Sequence, residues 1–213
     1  MKPSNAEPIT ITSDQVTAAT ATLARAFADY PVFAYVFPNP AERSRLLPRC
    51  IEPMIRHEVR RGTLQASSPG IEGVAMWLPP DDGFPTMWGF LRSGLLFDFL
   101  SLGVGCCYRL LRVACLAGRL RDRHAPQPHW YLQILGVAPE HQGQGHAARL
   151  LEPMLARFDA EQVACCLDTE TAENVAYYER FGFQTVGRAV LHGSDLTFWF
   201  MTRHPASRPQ RGA

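Results

Sequence analysis

One short run, Gln142-Gly143-Gln144-Gly145-His146-Ala147, lies between a predicted strand, Trp130 to Val137, and a predicted amphipathic helix, His146 to Ala160. It constrains the fold more than any other stretch. A glycine turn that links a strand directly to a helix puts a helix N-terminus beside a strand's C-terminal end, which asks for an α/β arrangement. The first turn of such a helix has backbone N–H groups without intrahelical partners, and the helix dipole adds partial positive charge there. Glycines let the backbone come close to an anion, so the run suits a diphosphate. A Walker-type phosphate loop needs a Lys-Ser/Thr pair after its second glycine, and none follows. A dinucleotide fingerprint fits better, since Gly143, Gly145 and Ala148 match G-x-G-x-x-A and Asp168 follows a later strand near the expected spacing. Against it, Ala138 to Gln142 separate the first glycine from the strand, and the run comes too late in the chain for a doubly wound sheet. A glycine turn without a ligand is the third reading.

The rest of the chain reads as strands and helices around this unit. Ile9 to Thr12 is a short strand, and Ser13 a candidate N-cap for a helix with Val16, Ala19, Leu23 and Phe27 on one face. Pro31 helps end that helix. A second helix fits Glu42 to Val59. Thr63 to Ala66 and Ile71 to Leu78 form a hairpin, stopped by Pro79 and Pro80. A loop over Asp81 to Pro85 and amphipathic helices between Met87 and Leu120 follow, then a polar linker, Arg121 to Pro128. After the glycine loop, Pro153 predicts a kink or irregular turn in its helix. Val163 to Leu167 is a buried strand and Ala172 to Phe181 a short helix closed by Gly182. Phe183 to Val190 and Leu196 to Thr202 form a last hairpin. This predicts a single domain over 1–203, with a helical insertion at 86–124 and a flexible tail at 204–213.

Composition narrows the partners. The chain has 213 residues, enough for a sizeable core, with 46% hydrophobic and 19% charged residues. A formal net charge of +1 leaves no basic excess of the kind nucleic-acid binders carry. Six cysteines, two adjacent pairs among them, show no CxxC spacing. They read as buried thiols of a reducing, cytoplasmic compartment, with no metal site. Met1 to Ile11 carries no apolar core of a signal peptide. The apolar stretch from Met87 to Gly118 is broken by Arg92, Asp98, Arg109 and Arg112, short of the ~20 mostly apolar residues of a spanning helix, so no membrane partner is expected.

A fourth reading of the glycine run is the diphosphate of coenzyme A. The strand ends in Leu135-Gly136-Val137-Ala138-Pro139, and Gln142, Gly145 and Ala147 follow in the register Q-x-x-G-x-A. Further on come Asn174, Tyr178, Gly182 and Phe183. In this order and spacing the two motifs resemble the GNAT superfamily of N-acyltransferases. The stretch Thr22 to Pro31, Phe181 to Phe183, and Met201-Thr202-Arg203 are similar to the puromycin N-acetyltransferase-like group, whereas Asp81 to Pro128 matches poorly. The resemblance implies an α/β (α+β) fold with a mixed, mostly antiparallel seven-stranded sheet, flanked by helices and splayed at the fourth strand.

It also implies the chemistry: acetyl transfer from acetyl-CoA, as co-substrate, to a primary amine of a small molecule, within a ternary complex. Leu135, Gly136 and Val137 would pair with the pantetheine arm and the thioester, and Gln142, Gly143, Gln144, Gly145, His146 and Ala147 would hold the diphosphate. Asn174 would bind the pantetheine arm, and Tyr178 would protonate the departing sulfur. Asp168, at the end of a strand where open α/β sheets bind ligands, is the candidate base, through a water relay. The group resembled often has Glu-Thr where this chain has Asp168-Thr169. His129, His141 and His146 are weaker base candidates. Glu170, Phe27, Tyr30 and Trp130 are candidates for the acceptor pocket. The state expected is a monomer or homodimer. A coenzyme A-binding sensor without turnover and a protein or peptide N-acetyltransferase are the alternatives.

Overall fold

The computed structural model describes residues 7–80 and 102–206. The loop expected at Asp81 to Pro85, the part of the insertion before residue 102, and the tail beyond Ala206 lie outside the described residues. Seven strands form one sheet: β1 (Ile9–Thr10), β2 (Leu64–Ala66), β3 (Gly73–Leu78), β4 (His129–Val137), β5 (Ala164–Thr169), β6 (Gln184–Val190) and β7 (Thr197–Arg203). Their order is β1-β2-β3-β4-β5-β7-β6. Among the described residues, only the central pair, β4 with β5, is parallel; the other pairs are antiparallel. The mixed, mostly antiparallel sheet flanked by helices is thus as expected.

Six described helices cover its two faces: α1 (Val16–Ala26), α2 (Pro31–Val36), α3 (Pro40–Val59), α4 (Val104–His124), α5 (His146–Glu161) and α6 (Ala172–Glu179). Central strands buried on both sides read as continuous apolar runs, and β3 is buried along its whole length. Val74, Met76 and Leu78 point into a layer with Leu23, Val36, Ile51, Ile55, Phe198 and Phe200. Ala75 and Trp77 point the other way, into a layer with Leu150, Leu155, Phe158, Leu167 and Met201. Strand alternation therefore sorts α1 to α4 onto one face and α5 and α6 onto the other.

Local chemistry explains where several boundaries differ from expectation. Thr12, not Ser13, caps the first helical segment, in a reciprocal capping box with Gln15. Pro31 starts α2 as well as following α1, since its missing N–H falls among the free donors of a first helical turn. Asn39 caps α3, its Oδ1 accepting from the Ala41 and Glu42 amides at 2.9 and 3.3 Å. Arg121 to His124 are not linker but the last turn of α4, where the Arg121 carbonyl accepts from Ala125 at 2.8 Å and basic side chains suit the helix C-terminus. Helix α5 runs through Pro153 without a break, because the buried Leu150, Leu151, Met154, Leu155 and Phe158 hold both sides of it against the sheet. Only Cys50, Cys165 and Cys166 are buried; Cys106 and Cys107 are half-buried and Cys115 is exposed on α4.

The end of β7 is clamped to α5. Arg203 meets Asp159 of α5 through two bonds of 2.8 and 2.7 Å and donates to the Phe181 carbonyl at 2.9 Å. Ala206 adds its amide to Asp159 at 2.8 Å. Arg203 holds the Asp159 carboxyl below the ordinary range. Replacing Arg203 by Ala leaves a partly buried carboxylate and a carbonyl short of partners, and should cost about 2–3 kcal/mol. Urea denaturation should show a lower midpoint with an unchanged slope. A midpoint within error of the parent would sink this account of the clamp.

Candidate active site at the parted strands

β4 and β5 pair only from His129 opposite Ala164 to Leu132 opposite Leu167. Beyond that they part, while β4 continues on β3 as far as Val137 opposite Gly73. The local cause is a bulge. Met76 pairs with Ile134 and Trp77 with Leu132, which leaves Gln133 as an extra residue, and an extra residue bends a strand and raises its twist. It falls directly after the last β4–β5 pair. The edge of β4 that β5 would otherwise occupy is therefore open from Gln133 onward. Asp168 and Thr169 of β5 likewise pair only with β7, opposite Phe200 and Trp199. Gln133 also carries a buried Oε1 without a hydrogen-bond partner.

Gly136, in the open part of β4, serves the close approach of α1. A Cβ there would come within 2.7 Å of Leu23, 3.1 Å of Ala26 and 3.3 Å of the Phe27 ring. A side chain would push α1 away from the strand. Leu135 packs toward α5 in the second layer.

The glycine run forms the turn into α5. Gly143 has φ +74° and Gly145, the residue before the helix, φ +84°, a backbone region that favours glycine. A Cβ at either would meet nothing within 4 Å, so conformation rather than room requires glycine. Gln142 turns its Nε2 back to the Val137 carbonyl at 3.1 Å, and Gln144 its own to the Glu140 carbonyl at 3.0 Å. These two side chains shape the turn from within. No side chain caps α5. The His146 ring points inward: its Nδ1 meets the Ser67 hydroxyl at 2.9 Å, and that oxygen accepts from the Gly73 amide at 3.1 Å. Burial holds the His146 pKa below its ordinary value. What His146 and Ala147 present at the helix start is backbone N–H.

The end of β5 gathers the polar chemistry. Asp168 and Glu170 are only partly exposed; burial pushes both carboxyls upward, most strongly Glu170, which also faces the Asp168 charge. The Arg121 guanidinium, over the Tyr131 ring at 5.3 Å, pulls Asp168 back down. The Tyr30 hydroxyl lies 3.0 Å from Thr169 Oγ1, accepts from the Glu170 amide at 3.2 Å, and accepts from Asn174 Nδ2 at 3.4 Å. Phe27 sets its ring edge-on to Tyr30, with centroids 5.5 Å apart. Tyr178 is buried, edge-on to Phe183 at 5.8 Å. Burial first, then the neighbouring Tyr177, Glu170 and Asp168, keeps its phenol protonated well above the ordinary range.

Tyr30, Phe27, Gly136, Glu170 and Asn174 are thus linked by contact around the end of β5 and the splay, with Asp168 beside them, while Tyr178 packs against Tyr177 and Phe183 in the layer under α5. Trp130 is not among those linked. Its ring stacks on Phe158 at 5.0 Å, with the Arg157 guanidinium 5.0 Å above it, in the layer under α5. Strand alternation turns it to the face opposite α1 and α4, into the layer that also holds Tyr178. Sequence reasoning missed Thr169, Gln133 and Arg121. Thr169 looks like a core strand position and is 1% exposed; only its contact with Tyr30 marks it.

Residues 105–185 match the family model described as the acetyltransferase (GNAT) domain. Among solved structures, the chain is similar to the HPA2-related acetyltransferase of Corynebacterium glutamicum, with TM-score 0.61, 21% identity and 95% of this chain over 97% of that one. It is also similar to arylalkylamine N-acetyltransferase 2 of Aedes aegypti, with TM-score 0.60, 15% identity and 93% over 98%. An N-acetyltransferase of Staphylococcus aureus aligns with TM-score 0.60, 12% identity and 92% over 100%. At these identities the likeness is one of fold. The match to the GNAT domain model covers residues 105–185, and the solved structures share the fold of the whole sheet. Among the described residues, no group of three or more His, Cys, Asp or Glu could hold a metal ion, and no helix is long and apolar enough to cross a membrane.

Proposed function

We propose that this protein transfers the acetyl group of acetyl-CoA to the primary amine of a small molecule, by direct attack within a ternary complex. The observation that carries this reading is the parting of β4 and β5 just after Leu132 and Leu167. It leaves unpaired backbone groups on one strand edge facing a strand end that bears a carboxyl pair. Acyl transfer needs the thioester and the amine held together, an oxyanion stabilised, one proton removed and one returned. On the open edge, alternation turns the backbone groups of Leu135 and Val137 away from β3, which offers donors and acceptors for the pantetheine arm and thioester. The buried Gln133 oxygen is a further acceptor for a ligand N–H, since buried polar atoms are rarely left unpaired. The uncapped N-terminus of α5, entered through Gly143 and Gly145, suits the diphosphate. Asp168 and Glu170 act together as the base, and Tyr178 returns a proton to sulfur.

Enclosure supports a small acceptor. Helix α4 crosses the α1 face of the sheet and is fastened at two places. Arg109 donates to the Val36 carbonyl at 2.9 Å, and Arg112 bonds the Tyr35 hydroxyl at 2.7 Å and the His192 carbonyl in the β6–β7 turn. These bonds close the space between α2 and that turn, where an open groove would suit a peptide. The run Thr22 to Pro31 further suggests kinship with the puromycin N-acetyltransferase-like group.

The test is thiol release from acetyl-CoA with a panel of amines: aminonucleosides, arylalkylamines, and peptides with a free N-terminus or lysine. Release with small amines alone supports the proposal; release with peptides alone moves the acceptor to protein. Tight coenzyme A binding with no release from any amine would leave a binding protein without turnover. Tyr178→Phe should lower kcat about 10²–10⁴-fold with acceptor KM and coenzyme A affinity nearly unchanged, because only a proton donor is lost.

A further inference from the structure

We infer that Tyr30 is a positioning residue that couples the base to the cofactor site, and not a contact to the acceptor amine; this rests on the proposed role of the Asp168–Glu170 pair. A phenol has one hydrogen to donate and two lone pairs. The Tyr30 oxygen already accepts from the Glu170 amide and from Asn174 Nδ2, and its hydrogen has Thr169 Oγ1 at 3.0 Å as a partner. Its hydrogen-bonding capacity is spent before any acceptor arrives. The three groups it joins belong to β5, to the chain just past β5, and to α6, whereas Tyr30 itself stands between α1 and α2 as the cap of α2. One hydroxyl therefore ties the acceptor-side helices to the strand end and to the cofactor-side helix.

Two consequences follow from the geometry. First, Asn174 gives an N–H to Tyr30, which turns its amide and leaves Oδ1 as the free end toward a ligand N–H. Its backbone is set independently, through the Thr171 cap at 3.2 Å. Second, Tyr30 holds the Glu170 backbone where the carboxyl reaches Asp168. The groups facing this pair are Tyr30 from the α1–α2 junction, Arg121 from α4 and Tyr178 from α6. Of these, Arg121 favours the charged form of Asp168 and Tyr30 that of Glu170. Taking the phenol away frees the Glu170 backbone and removes the influence of Tyr30 that favours the charged carboxyl against burial.

The experiment compares the parent, Tyr30→Phe and Glu170→Gln. The phenylalanine keeps the ring against Phe27, and thermal melts check that each variant is folded. For any amine of the panel that is turned over, kcat/KM is measured against pH; coenzyme A affinity is measured by calorimetry in every case. Tyr30→Phe should lower kcat about 10–100-fold, move the acidic limb of kcat/KM to higher pH, and weaken coenzyme A several-fold, with acceptor KM unchanged. A rise in acceptor KM alone, with the limb and coenzyme A affinity unmoved, overturns the inference and makes Tyr30 an acceptor contact. If no amine is turned over, unchanged coenzyme A affinity in Tyr30→Phe overturns it. Glu170→Gln tests the base separately: full rate with the acidic limb intact removes the premise, whereas a dead Glu170→Gln beside a Tyr30→Phe with an unmoved limb removes only the role given to Tyr30.

Discussion

Asp168→Asn and Glu170→Gln should each lower kcat/KM about 10²–10⁴-fold, the usual contribution of a general base, and each should make the protein more stable at neutral pH. Both effects come from burying two carboxyls side by side. Desolvation and mutual repulsion disfavour the doubly charged state, so the pair holds a proton above the ordinary carboxylate range of about 4; both directions are upward here. The two titrate as one unit. An amine loses its proton to the free form, so activity rises as pH climbs through the raised titration. For stability the sign is opposite. A folded-state pKa raised above the unfolded one favours the fold at low pH, and that advantage is lost as pH rises through the raised value. A neutral isostere removes the cost of charging the pair, so its stability curve should lie above the parent's at pH 7–8 and converge with it toward pH 4. Rate loss together with stability gain is the signature of a strained functional pair. A variant that loses both rate and stability would indicate a structural carboxylate.

Phe158→Ala should cost about 3–5 kcal/mol, the range for removing a buried aromatic ring. Phe158 is fully buried in the layer under α5, stacked on Trp130 at 5.0 Å and edge-on to Trp77 at 5.4 Å. Deleting the ring strips contacts from two indoles that β3 and β4 hold in place, so the cavity collapses little. Against a total stability of about 5–15 kcal/mol the loss is large, and a chain of this size should melt about 10 °C lower. Phe158→Leu should retain most of the stability. Phe158 lies toward the C-terminal end of α5, away from the glycine turn, so the folded fraction should bind coenzyme A as the parent does. A melting point within about 2 °C of the parent would refute the packing account, and a selective loss of coenzyme A affinity would place the ring in the site.

Much of the site was legible in sequence because it is local. Gly143, Gly145 and the start of α5 lie within one strand–turn–helix unit, where backbone conformation follows from residue type. Pro139, Gly182 and the β6–β7 hairpin were legible for the same reason. Trp130 shows where local reading stopped. An aromatic residue at a strand's start is equally compatible with either face, and only register against β3 and β5 turned it under α5. The bulge at Gln133 was equally silent, because nothing in Leu132-Gln133-Ile134 marks an extra residue until β3 is laid beside it. Tyr30 fell between the two cases. Its place after α1 was readable, but its three polar partners lie more than a hundred residues away in sequence.

By itself, then, the sequence determined the strand–glycine turn–helix unit, the alternating burial of the strands and the two ordered motifs, since each follows from steric preferences and spacing within a few residues. Only the tertiary structure decided that β4 and β5 part after Leu132, that Asp168 and Glu170 lie together, half-buried, at the end of β5, and that the Tyr30 hydroxyl meets the Glu170 amide and Asn174. Those facts depend on which strand pairs with which, and on groups from distant segments being desolvated together. Neither is a property of any residue's neighbours along the chain.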